Sequence, residues 1–131
     1  MALRLRIVTP TRLVVDTEVS ELSAPGVVGE FGVLPEHATF LGSLDTGMLT
    51  YVEGSVKRRL VVHGGYAEVI DDVVTVLADD AEFPEEIDGR SAREDLERIE
   101  AELDKDQETR EAVDTLLRDR RRAEVRIEAA G

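Results

Sequence analysis

Up to residue 80 the chain alternates on a short period. In "LRLRIV" (3–8) Leu3, Leu5 and Ile7 fall on one face and Arg4 and Arg6 on the other, the period of a half-buried strand. "MLTYVE" (48–53), "VKRRLVVH" (56–63), "YAEVI" (66–70) and "VVTVLA" (73–78) are rich in β-branched residues, which favour strands. Turn signals divide them at Glu53-Gly54-Ser55, Gly64-Gly65 and Asp71-Asp72. The Asp71-Asp72 pair predicts a two-residue hairpin loop. Many short strands at this spacing predict an antiparallel sandwich or barrel.

After "DDAEFPEEIDG" the period changes. Ala92, Leu96, Ile99 and Leu103 recur at i, i+4, i+7 and i+11, one stripe of a helix. Two caps compete at its start: Asp88, or a capping box of Ser91 and Glu94. The pairs Glu94/Arg98 and Arg98/Glu102 are spaced to support the helix. "LDKDQE" ends the pattern. A second, thinner stripe follows on Val113, Leu116, Leu117, Ala123 and Ile127. The expectation is an antiparallel β-domain over 1–84 and a two-helix hairpin over 85–131. Short isolated helices are marginal in water, so the hairpin must lean on the β-domain or on a partner.

Composition narrows the function. The chain has 131 residues and a net charge of −13, which repels nucleic acid and anionic lipid and favours protein partners. It has no cysteine, which excludes disulfides, thiolate nucleophiles and Cys-rich zinc sites. The N-terminus is too strand-like for a signal peptide, and no apolar run spans a membrane, so a soluble intracellular protein is expected.

Candidate chemistry is thin. There is no Gly-rich phosphate loop with a lysine and no G-x-S-x-G elbow. His63-Gly64-Gly65 reads as a strand end and a turn. His37 and His63 are too few for a His-based metal cluster. In Asp71-Asp72 and Asp79-Asp80, neighbouring carboxylates on a strand point to opposite faces and do not converge. No catalytic residue, metal or cofactor is expected. "RDRRRAEVR" places Arg118, Arg121, Arg122 and Arg126 on one strip. It reads as a solvated face with cations suited to a helix C-terminus. The alternatives are nucleic acid, disfavoured by the acidic whole, or an acidic protein surface.

The order of "GEFGVLPEHATFL" (29–41), "GGYAEV" and "VTVLAD" before a helical hairpin resembles the epsilon subunit of F-type ATP synthases along nearly the whole chain. The most specific part is G-E-x-G-x-x-P-x-H. The resemblance implies a β-sandwich of about ten strands followed by two helices. It implies a non-catalytic rotor subunit that binds the gamma subunit, stands on the c-subunit ring and couples its rotation to ATP synthesis. It sets the subunit at the cytoplasmic face of a bacterial membrane. Glu30, Glu36 and His37 match ring-facing positions, with Gly29 and Gly32 permitting tight backbone and Pro35 stiffening the loop. Glu36 departs from the small or basic residue usual there.

The family's hairpin can extend into the catalytic alpha/beta head and inhibit hydrolysis. Arg118, Arg121, Arg122 and Arg126 would then meet the beta subunit. Some members bind ATP at the hairpin through Ile/Leu-Asp-x-x-Arg-Ala. Ile87, Asp88 and Ala92 match, as do Glu82 and Arg98 around that site. Ser91 stands in place of the arginine, which removes a charged donor. ATP binding is then implied only if Arg90 or Arg93 takes that role, and is weak otherwise. The competing reading is a free-standing sandwich that binds proteins, with a helical appendage.

Overall fold

A computed structural model describes residues 2–131. The chain divides into two compact units, one ending at Phe83 and the other running from Pro84 to Gly131.

The first unit holds eight strands: β1 (Leu3–Val8), β2 (Leu13–Val19), β3 (Glu21–Gly26), β4 (Gly29–Val33), β5 (Phe40–Glu53), β6 (Val56–Ile70), β7 (Val73–Ala78) and β8 (Ala81–Glu82). Pairing runs β2-β1-β7-β6-β5-β3-β4, with β8 added to β6. All pairs are antiparallel except β1 with β7. The sheet folds back on itself as a sandwich. Strand β2 is no ladder neighbour of β5, yet Thr17 Oγ1–H donates to Glu53 Oε2 at 2.6 Å across that gap.

The alternation of β1 holds. Leu3, Leu5 and Ile7 are fully buried, and they join a single core with Val19, Val33, Leu49, Leu60, Val62, Val69, Val74 and Val76. Burying each such side chain stabilises the fold by about 1.5–3 kcal/mol. With aromatics scarce, aliphatic side chains carry almost the whole core.

Eight strands stand among the described residues where about ten were expected, because two are long. "MLTYVE" is the end of the 14-residue β5, and "VKRRLVVH" and "YAEVI" are one 15-residue β6. Gly64-Gly65 is therefore no turn. Both residues have positive φ, 71° and 113°, and a Cβ on Gly65 would collide with the Leu77 carbonyl oxygen. Glycine lets β6 bend while staying paired with β7. The Asp71-Asp72 loop is as expected. Ile70 pairs with Val73, and both aspartates have positive φ, 48° and 62°, as a type I′ turn requires.

The second unit opens with a 3-10 turn at Pro84–Glu86, followed by α1 (Gly89–Leu103) and α2 (Arg110–Ala130). Asp88 wins the contest for the cap: its Oδ1 accepts from the N–H groups of Arg90 and Ser91 at 3.1 and 3.2 Å. Thr109 caps α2 by accepting from Ala112 N–H at 3.1 Å. The expected Glu94/Arg98 and Arg98/Glu102 pairs do not form. Arg98 reaches Asp95 instead at 2.9 Å, and Glu94 takes Arg90 at 3.4 Å. In α1, Ala92 and Ile99 are buried as the stripe predicts. In α2 the seam shifts: Leu117 is 40% exposed, while Val125 and Ala129 are buried beside Ala123.

Candidate functional site

Turn chemistry builds one end of the sandwich. The His37 N–H donates to the Leu34 carbonyl at 3.2 Å, closing a four-residue turn with Pro35 second and Glu36 third. Glu36 has φ 67°, the sign that the third position of a type II turn demands. Glutamate occupies that region at a cost glycine would avoid. The Glu36 N–H donates to Asp72 Oδ1 at 2.7 Å, tying this turn to the β6–β7 hairpin loop. The His37 Nδ1–H donates to the Ala38 carbonyl at 2.7 Å, and its ring stands edge-on to Phe40. In the neutral ring Nε2 is then the remaining acceptor.

Glu30 lies on β4, exposed, and accepts from Ser23 Oγ–H at 2.5 Å. Glu30, Glu36 and His37 thus sit on β4 and on the loop that follows it. Gly29 has φ 129° and needs to be glycine. Gly32 does not: its φ is ordinary, and the nearest atom to an added Cβ is 3.8 Å away. Around these residues the surface is apolar. Val28 is fully exposed, with Val27, Leu34 and Leu41 more than half exposed, and the Phe31 and Phe40 rings meet at a tilt, 5.0 Å between centroids, beside an open cleft of about 450 Å³.

A second apolar surface lies on the outer face of β6 and β7. Tyr66 pairs with Leu77 and Ile70 with Val73, and all four side chains point outward at 41–58% exposure. Arg4 and Arg6 flank it from β1, and Glu68 stands within it. The sequence carried a signal for this face. "VVTVLA" fails to alternate, and a strand apolar on both sides needs cover on both.

The remaining candidates divide between the two units. Glu82 sits on β8 of the sandwich with its Oε2 2.9 Å from His63 Nε2. Ile87 and Ala92 are buried, Asp88 is occupied as a cap, and Arg98 holds Asp95. The arginine strip splits. Arg118 and Arg121 are exposed. Arg122 is partly buried with its Nε unpaired, and Arg126 approaches Asp95 at 4.0 Å from the other helix.

Residues 2–84 match the family model of the ATP synthase delta/epsilon chain beta-sandwich domain. The chain belongs to the ATP synthase epsilon-chain family. The ATP synthase epsilon chain of Geobacter metallireducens is 44% identical over 98% of this chain and 94% of its own length. That of Anaeromyxobacter sp. (strain K) is 42% identical over 100% of this chain and 99% of its own. Among solved structures, a chain of the Euglena gracilis mitochondrial ATP synthase OSCP/F1/c-ring assembly has the same fold, with a TM-score of 0.76 and 28% identity. That match covers 97% of this chain and 76% of the other. A chain from the Tetrahymena thermophila mitochondrial ATP synthase central stalk and c-ring shares the fold at a TM-score of 0.70 and 15% identity. It covers 100% of this chain and 98% of the other.

Proposed function

We propose that this epsilon-family chain is a non-catalytic central-stalk subunit of an F-type ATP synthase, joining the gamma subunit to the c-subunit ring. The observation that carries the reading is the apolar outer face centred on Tyr66 and Leu77. A sandwich with a complete core of its own has no use for a second apolar face unless another protein covers it. An aromatic anchor ringed by Arg6 and Glu68 has the make-up of a protein interface. We assign this face to gamma.

The Leu34–His37 turn, with Glu30, Val28 and Asp72, is assigned to the ring. Its carboxylates suit polar ring loops that carry arginine. Among the described residues no helix is long and apolar enough to cross a membrane. On this reading the chain works as a peripheral subunit at the cytoplasmic face of a bacterial membrane. The test is co-purification: Tyr66→Asp with Leu77→Glu removes the chain from the assembled complex, while the isolated variant stays folded. A double variant that still comigrates with gamma overturns the assignment.

The hairpin carries the second part of the proposal, inhibition of ATP hydrolysis by an extended form. Support comes from Arg118 and Arg121, which lie exposed on α2 and available to an acidic surface. Truncation after residue 88 is expected to keep assembly and raise hydrolysis. Unchanged hydrolysis in the assembled, truncated enzyme removes this role. Regulatory ATP binding at the hairpin is expected to be weak at most, since Ser91 replaces a charged donor. Micromolar binding in a titration overturns that expectation.

A further inference from the structure

Asp80 has no partner in Asp79, but it does converge with groups further along the chain. Asp80 and Glu82 are two apart in extended chain and so share a side. Strand β8 pairs with β6 through Val61↔Glu82 and Val62↔Ala81. The His63 N–H donates to the Asp80 carbonyl at 2.9 Å, which sets His63 level with Asp80. The imidazole Nε2 lies 2.9 Å from Glu82 Oε2. One ligand atom from each of His63, Asp80 and Glu82 lies within 4.8 Å of the others. Burial grades across the cluster: His63 is 3% exposed, Glu82 is intermediate and Asp80 is open to solvent. The Ala81 N–H donates to Asp80 Oδ1 at 2.9 Å and steadies that carboxylate.

His63 is unlike a histidine kept for packing alone. Buried polar atoms are nearly always paired, yet Nδ1 is buried with no hydrogen-bond partner. Everything that offsets the burial of this ring acts through Nε2, and Nε2 faces the carboxylates.

We propose that His63, Asp80 and Glu82 form a binding site for a divalent transition-metal cation of the zinc type, which clamps β8 to β6. One imidazole and two carboxylates supply three positions of a tetrahedral site, and water supplies the fourth from the Asp80 side. Two carboxylates neutralise the dication, and a chain of net charge −13 concentrates cations around it. Ligand atoms about 2.1 Å from a tetrahedral ion stand roughly 3.4 Å apart. The Nε2–Oε2 separation therefore has to open by about half an ångström, within reach of a glutamate rotamer.

The proton balance sets the affinity. In the neutral ring without the ion, Nε2–H donates to Glu82. The ion takes the Nε2 lone pair, and the ring proton moves to Nδ1, so the imidazole stays neutral. Nδ1 has no acceptor nearby, so the outer support usual for a metal-bound histidine is missing. Such support is worth roughly 10–100-fold in affinity. A micromolar Kd is expected rather than a nanomolar one. The clamp has structural weight, since β8 is only two residues long and is the last strand before the sandwich unit ends at Phe83.

The test is titration of the full-length chain, stripped of metal, with CoCl2 followed by visible absorption, and with ZnCl2 followed by calorimetry and Tm. One equivalent is expected to bind with micromolar Kd, to give a tetrahedral cobalt spectrum and to raise Tm. Millimolar MgCl2 should not compete, because magnesium wants six oxygens. Asp80→Asn, at an exposed position where folding is not at stake, is expected to weaken binding at least tenfold, as is Glu82→Gln. Zinc affinity unchanged in both variants, or binding only at millimolar metal, overturns the proposal.

Discussion

In the sandwich the largest fully buried side chains run from Leu3 to Val76, all of them leucine, isoleucine or valine. The helical unit buries Ile87, Ala92, Ile99, Ala123, Val125 and Ala129, half of them alanine. Alanine offers little apolar area, so each buried alanine there yields well under what a leucine yields in the sandwich, at roughly 25 cal/mol per Å² of apolar area removed from water. The helices are held instead by local devices: two caps, and ion pairs on half-exposed side chains. Those pairs are worth a few tenths of a kcal/mol each. The sandwich is therefore built as a platform. The hairpin is built closer to the balance point, which suits the extended form proposed for it.

The contrast breaks most directly in the core. Leu5→Ala is expected to cost about 3 kcal/mol, because a fully buried leucine leaves a cavity as well as lost contact area. Urea unfolding of the full chain checks it through the drop in midpoint. A cost under 1 kcal/mol means the sandwich is no better packed than the hairpin. Asp88→Ala acts on the other side of the comparison. Losing a cap that serves two N–H groups costs about 1 kcal/mol. Hydrogen exchange should quicken about fivefold in the first turn of α1, with β5 and β6 unchanged. Faster exchange in those strands as well denies that the hairpin varies on its own.

Local chemistry was legible in the sequence and remote contact was not. The Asp71-Asp72 turn could be read because its cause lies in those two residues and their positive φ. Gly64-Gly65 could not, because the reason for glycine there is the Leu77 carbonyl of the neighbouring strand. The start of β5 was hidden in the same way. Gly42 and Gly47 look like breaks, but an added Cβ would stand 2.6 Å from the Phe40 ring and 2.7 Å from Pro25 Cβ. They are sites of close packing inside a strand. The turn of Leu34–His37 was visible as a shaped edge, though the strain at Glu36 and its tether to Asp72 needed the fold. The Tyr66–Leu77 face had a readable sign in the missing apolar/polar alternation of β7.

A smaller effect sharpens the picture of the platform. Glu36→Gly relieves a positive φ that costs a non-glycine residue about 1–2 kcal/mol, against roughly 0.5–1 kcal/mol of extra unfolded-chain entropy. The net expectation is a gain of about 0.5 kcal/mol, read as a rise in urea midpoint. A loss instead shows that the Glu36 side chain, and not only its backbone, supports this end of the sandwich.

The smallest expected change lies in the hairpin. Asp95 holds Arg98 at 2.9 Å and approaches Arg126 at 4.0 Å, so one carboxylate restrains cations on both helices. These side chains are between a quarter and two-thirds exposed, so solvent screens the pairs and Asp95→Asn should cost about 0.3 kcal/mol. Stability alone barely registers that. Salt dependence registers it better, since raising ionic strength weakens the wild-type pairs and has less to act on in the variant. The variant also loosens one hold on Arg126, a cation that the proposed extended form would draw on with Arg118 and Arg121. In the assembled enzyme, Asp95→Asn is then expected to deepen inhibition of ATP hydrolysis slightly. Weaker inhibition would mean that Arg126 acts from the hairpin form, and that the hairpin is less ready to open than its thin core implies.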